Sequence, residues 1–127
     1  MKEMVFVFGS NAAGIHGAGA AKFAWKSKGA RYGKGYGHFG DSFAIPTKNE
    51  DILTLPLDRI KMYVDGFIAY AIDHRKVLFQ VTRIGCGLAG YRDKDIAPMF
   101  VNAPKNCYFD EAWRPILGDD HNYWGTM

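Results

Sequence analysis

Two glycine-rich stretches carry the residues whose types and spacing could do chemistry. The first is Gly9-Ser10-Asn11-Ala12-Ala13-Gly14-Ile15-His16-Gly17-Ala18-Gly19-Ala20-Ala21, directly after the apolar run Met4-Val5-Phe6-Val7-Phe8. The second is Gly85-Cys86-Gly87-Leu88-Ala89-Gly90-Tyr91, close behind the apolar run 77–82 and preceded by Arg83. A strand that turns through glycines into a helix offers unpaired backbone N–H groups at the positive end of the helix dipole, and that combination holds phosphate. Glycine allows positive φ and a close approach of main chain to ligand. The two loops are expected to face each other across one nucleotide-sized site. Gly9, Ser10, Asn11, Gly14, Ile15, His16, Gly17, Ala18 and Gly19 would form one side, and Arg83, Gly85, Cys86, Gly87, Leu88, Ala89, Gly90 and Tyr91 the other.

Within this set Asn11 could position a ribose hydroxyl or a water, or serve the turn alone, since asparagine bonds its own backbone and tolerates positive φ. His16 could contact phosphate or act as general acid or base near neutral pH, or simply be an exposed loop residue. Asn11 and His16 are the candidate catalytic residues. Cys86 could be a thiolate nucleophile near a helix N-terminus. The sequence offers it no base, so a small side chain fitting a tight loop is the simpler role. Arg83 could pair a phosphate or cover the sheet. Lys48, Arg92 and Lys94 read as solvated charges, and Asp41 as a turn cap with His38 beside it. His74 and His121 read as surface residues. No His/Cys/Asp/Glu cluster has metal-ligand spacing, so no metal is expected.

The elements that must position these residues follow from hydropathy patterning. Residues 4–8 read as a strand covered on both faces, as in a parallel sheet. Ala18–Lys26 is an alanine-rich helix with Gly29 as its C-terminal stop. Residues 29–41 hold five glycines interleaved with Arg31, Tyr32, Lys34, Tyr36, His38 and Phe39, and read as a loop or a short irregular strand. Tyr32, Tyr36 and Phe39 could wall a base or pack on the core. Ser42–Thr47 is a short strand ended by Pro46. Leu57, Ile60, Val64, Phe67, Ile68, Ala71 and Ile72 define an amphipathic helix to about His74, weakened slightly by Gly66. Residues 77–82 form the next strand. Asp93 or Asp95 would cap a helix running through Ile96, Met99 and Phe100, with Pro98 near its first turn. Residues 107–109 are the last expected strand, and 110–127 an irregular tail. Alternating strands and helices point to a layered α/β domain, in which ligands sit at the carboxyl ends of strands.

The chain has 127 residues, 48% of them hydrophobic and 15% aromatic, enough for one domain with its own core. Met1–Met4 lacks a leader pattern and no run of about 18 apolar residues occurs, so a cytoplasmic, non-membrane protein is expected. Cys86 and Cys107 are too few for a disulfide framework and read as reduced thiols. A net charge of +3 suits a small anionic ligand, and it lacks the concentrated basic stripe of a nucleic-acid binder.

The pattern resembles the macrodomain, the ADP-ribose-binding α/β module. The strand and asparagine loop Val5-Phe6-Val7-Phe8-Gly9-Ser10-Asn11, the stretch Gly14-Ile15-His16-Gly17-Ala18-Gly19-Ala20, the strand Phe43-Ala44-Ile45-Pro46 and the loop Gly85–Tyr91 carry the likeness, which covers about residues 4–109. It implies a three-layer α/β/α mixed sheet in a single domain of phage or bacterial type, and a ligand with an ADP-ribose-like diphosphate clasped by both loops. It also implies Asn11 beside the distal ribose, and Tyr91 stacking on a sugar or closing the pocket; no cofactor is expected. Three features depart from the family. The aspartate that reads adenine has no counterpart, His16 and Ala18 interrupt the glycine run, and the 29–41 loop has no equivalent.

The expected function is therefore binding of ADP-ribose or a related nucleotide, including sequestration of a nucleotide signal. The alternative is a hydrolase of ADP-ribose esters, ADP-ribosyl-protein or ADP-ribose phosphate, with Asn11 or His16 placing water. A nucleic-acid or protein interaction module using Arg31-Tyr32-Gly33-Lys34-Gly35-Tyr36 is a third reading. A dinucleotide-binding fold is disfavoured, because Gly14–Gly19 is not GxGxxG and no acidic residue follows at the required distance.

Overall fold

The structure, a computed structural model, describes residues 3–127. Met1 and Lys2, part of the segment read as lacking a leader, lie outside them. Six strands form one mixed sheet in the order β2-β3-β1-β4-β5-β6. The strands are β1 (Val5–Asn11), β2 (Gly37–Phe39), β3 (Ser42–Lys48), β4 (Phe79–Val81), β5 (Cys107–Asp110) and β6 (Asn122–Gly125), and the longer helices are α1 (Gly19–Ser27) and α2 (Leu57–Asp73). Short helices α3 (Asp93–Ile96) and α4 (Arg114–Leu117) complete the set, with single 3-10 turns at Ala97–Phe100 and Glu111–Trp113. No described helix is long and apolar enough to cross a membrane.

β1 lies in the middle and pairs in parallel with β3 on one side and β4 on the other. Its continuous apolar run has the two-sided burial that such a position demands. Phe6 and Phe8 pack with Ala21 and Ala24 of α1 and with Ala44. Val5 and Val7 join the larger core with Phe43, Ile45, Phe79 and the face of α2 that carries Ile60, Val64, Phe67 and Ala71. The small residues of α1 let it lie close to the sheet. Gly66 has a packing reason: the hydroxyl of Tyr36 crosses the helix there to donate to the carbonyl of Tyr63 at 2.9 Å, leaving no room for a Cβ. Asn106 ends the α2 region, its amide donating to the carbonyls of Ala71, His74 and Val77.

Several expectations are corrected. Residues 110–127 are not an irregular tail. They hold a 3-10 turn, α4 and β6, which pairs in parallel with β5. The Asp110 carboxylate fixes the start and end of this stretch by accepting from Ala112 N–H, the Thr126 hydroxyl and Met127 N–H. Pro46 does not end β3. It sits within it opposite Ser10, where the register shifts between Ser10 and Asn11, and such an irregularity accommodates a residue lacking an N–H. The N-cap of α3 is Arg92, whose N–H donates to Asp95, while Asp93 is drawn into an ion pair described below. That helix lasts four residues and tightens into a 3-10 turn at Pro98. Residues 29–41, read as a loop or a short irregular strand, do hold a short strand, the three-residue β2, antiparallel to β3.

Candidate functional site

Three parallel strands, β1, β3 and β4, deliver their carboxyl ends to the same edge of the sheet. There the two glycine loops enclose a cleft of about 440 Å³. This is within the roughly 300–1,000 Å³ of small-molecule sites. The first loop contributes Gly9, Ser10, Asn11, Ile15 and Gly17 through Ala21. The second contributes Arg83, Gly85, Gly87, Leu88 and Ala89. Thr47, Lys48, Ile52, Thr82 and Ile84 complete the wall. The loops touch at their bases, where a Cβ on Gly9 would lie 3.4 Å from the nitrogen of Gly85.

The cleft wall is mostly apolar, and its unengaged donors are chiefly main-chain N–H groups. α1 begins at Gly19 after Ala18, an N-cap residue with no side-chain oxygen, and no acidic residue lies in its first turn. The first intrahelical bond is made by Lys22 N–H, to the carbonyl of Ala18. Among the described residues the N–H groups of Gly17 through Ala21 meet no acceptor, nor do those of Gly87, Leu88 and Ala89. First-turn donors point out of the helix along its axis, where the dipole favours an anion. Both runs belong to residues on the cleft wall.

The polar side chains on the wall are mostly occupied. Asn11 clips its own loop: Nδ2 donates to the carbonyl of Ile15 at 2.8 Å and Oδ1 accepts from its N–H at 2.9 Å. Arg83 makes two 2.8 Å bonds to the Asp93 carboxylate. Asp93 also accepts from the Trp113 indole at 2.8 Å. The hydrogen bonds from Arg83 above all, then from Trp113, hold Asp93 below the usual carboxylate range, and that with Asp93 raises Arg83.

Not every expected residue faces the cleft. His16 is fully buried, its ring edge-on to Phe8 and Tyr32, with Nε2 2.8 Å from the carbonyl of Arg31. Its Nδ1 is buried without a partner among the described residues. Gly14 is held behind the loop against Gly33. Tyr91 turns toward the core and donates to the carbonyl of Leu55 at 2.6 Å. Gly90 is not on the wall, and Cys86 lines a smaller neighbouring hollow of about 200 Å³ with Asp110 and Met127. Burial, with the nearby Asp93, pushes the Cys86 thiol up to about 12, the reverse of what a nucleophile needs.

The expected site residues left out Ala20, Ala21, Thr47, Lys48, Ile52, Thr82 and Ile84. The signal was present for Lys48: it ends the apolar run 42–47, at the carboxyl end of a strand parallel to β1, where ligands of open α/β sheets bind. Ile52 carried no such signal. It has φ 63 in the turn after β3, a conformation a β-branched residue rarely adopts.

Compared with known proteins, the chain matches no family model, no curated protein and no solved structure.

Proposed function

We propose that the protein binds ADP-ribose or a related ADP-ribose-derived nucleotide in this cleft, and that its α/β domain is of the three-layer macrodomain-like kind. The diphosphate lies between the two glycine loops, and capture of a nucleotide signal is the corresponding role. The observation that carries the reading is the pair of partnerless N–H runs, Gly17–Ala21 and Gly87–Ala89, lining one cleft. Supporting the fold is the division of β1 between one core under α1 and another under α2.

Binding is favoured over hydrolysis by the chemistry of the wall. Among its residues Lys48 and Arg83 are the ones that ionise, with no carboxylate, imidazole or thiol to move a proton. Asn11, proposed to lie by the distal ribose, does so as part of a clipped loop. Isothermal titration with ADP-ribose, cyclic ADP-ribose and NAD tests the reading. Saturable heat with at least one is expected, with the ligand recovered unchanged. Silence from all three at millimolar concentration would overturn it, and turnover of the bound ligand would convert the binder into a hydrolase.

A further inference from the structure

We propose that the cleft selects the phosphates of its ligand and does not select the base: it takes nucleoside diphosphate conjugates of purines and pyrimidines alike. This rests on the nucleotide reading of the cleft and narrows the ligand class within it.

Base identity is read by hydrogen-bonding groups aimed at base edges, and a site that lacks them discriminates weakly. Here each side chain that could read an edge is already oriented by a bond within the protein. The Ser10 hydroxyl donates to the carbonyl of Gly35. Thr47 donates to the carbonyl of Ser10 at 3.2 Å, and Thr82 to that of Val7 at 2.7 Å. Both ends of the Asn11 amide engage Ile15. Arg83 is held in place by two bonds to Asp93 and keeps its other N–H donors. These bonds fix the direction of each group, so the lone pairs and N–H donors they leave over meet a base only where that direction allows. No carboxylate lines the cleft to accept from an exocyclic amine.

The groups with no partner at all are of two kinds. One is positive: the two N–H runs and the ammonium of Lys48, which meets no carboxylate among the described residues. The other is aliphatic. Ile15, Ile52 and Leu88 stand on the wall 44%, 39% and 72% exposed. Leu88 reaches toward α1, its Cδ1 3.8 Å from where a Cβ on Gly19 would be. The Ile52 turn is tied to the second loop by the Thr54 hydroxyl, 3.1 Å from the carbonyl of Ala89. Branched aliphatic groups attract the face of any base by dispersion and burial, neither of which has a direction.

Titration calorimetry on the full chain with ADP-ribose, GDP-ribose and UDP-ribose, and with adenosine, tests this. The three conjugates should bind within about fivefold of one another, as expected of contacts without direction. Adenosine should not bind below millimolar concentration. Lys48→Met should weaken all three by a common factor of about ten, the value of one charge-assisted contact, and Lys48→Arg should restore them. A preference of more than about thirtyfold for one base, which takes a dedicated polar contact, would overturn the inference while leaving ADP-ribose binding intact. Adenosine binding as tightly as ADP-ribose would also overturn it. Failure of all the conjugates would remove the nucleotide reading itself.

Discussion

Gly35 lies with its main chain against the carbonyl oxygen of Asn11: a Cβ at position 35 would overlap that oxygen, and Gly35's own carbonyl accepts from Ser10. Beside it, Gly33 N–H donates to the carbonyl of Gly14 at 2.8 Å. The 29–41 segment thus buttresses the first cleft loop from behind, backbone on backbone. Gly35→Ala is expected to destabilise the protein by about 2 kcal/mol, because main chain must move, and to weaken nucleotide binding. Gly33→Ala is the control: φ is 85 but the space is open, so about 1 kcal/mol is expected. Urea unfolding of both variants measures the difference.

Asn11→Ala leaves Ile15 N–H and C=O without their clip and should cost about 1–2 kcal/mol. Comparing ADP with ADP-ribose separates the two roles of Asn11. If the residue only holds the loop, both ligands lose affinity by the same factor. If it also touches the distal ribose, ADP-ribose loses more.

Gly87 has open space where a side chain would go. Gly87→Glu should therefore leave the thermal midpoint within a degree or two, since the change is on an unstrained surface. It should reduce nucleotide affinity by more than about tenfold by placing a carboxylate among the donors proposed to hold phosphate. Circular dichroism melts and titration calorimetry on the same sample check both halves.

Both thiols are pushed from 9.0 up to about 12, each by burial first. The folded state therefore holds these protons more tightly than the unfolded chain. Their contribution is fully present below pH 9 and is lost as pH rises toward 12, where deprotonation favours the unfolded state. The urea midpoint should fall across that window, and less steeply in Cys107→Ala. Iodoacetamide at pH 8 should label neither cysteine until urea is added.

Ile52 holds a left-handed backbone at the rim of the cleft. Ile52→Gly relieves a strain of about 1 kcal/mol while removing an apolar contact to ligand. Stability should rise or hold, and affinity should fall. Chemical denaturation and titration moving in the same direction would refute the role of Ile52 as a ligand-facing strained residue.

Much of this molecule was legible in the sequence. The two loops could be paired because both leave the carboxyl ends of expected strands, in an α/β pattern whose ligands sit at such ends. α1 and α2 were marked by helical spacing of alanines and branched residues. What stayed hidden has physical reasons. His16 sits among glycines and looks exposed, yet Tyr32, sixteen residues on, closes over it. Asp93 has the look of a helix cap, but an arginine ten residues earlier and an indole twenty later take its carboxylate. β6 lacks a long apolar run because it is a half-buried sheet edge, held through Asp110 and by the Trp124 indole donating to the carbonyl of Val81 at 2.9 Å. Each of these depends on a partner distant in the chain, which local pattern cannot supply.

The central place of β1 also sets how the site comes into being. Its floor joins residues 37 apart through Thr47 and Ser10, and 75 apart through Thr82 and Val7. No half of the chain contains a half-affinity site. The cleft is complete only when β3, β1 and β4 are in register, through contacts distant in the chain. A ligand held there stabilises the whole cooperative unit by mass action, about 2.7 kcal/mol at a hundred times its dissociation constant. In hydrogen exchange that protection would spread to the amides of β1 and β4 in the buried centre of the sheet, well beyond the two loops proposed to hold the ligand.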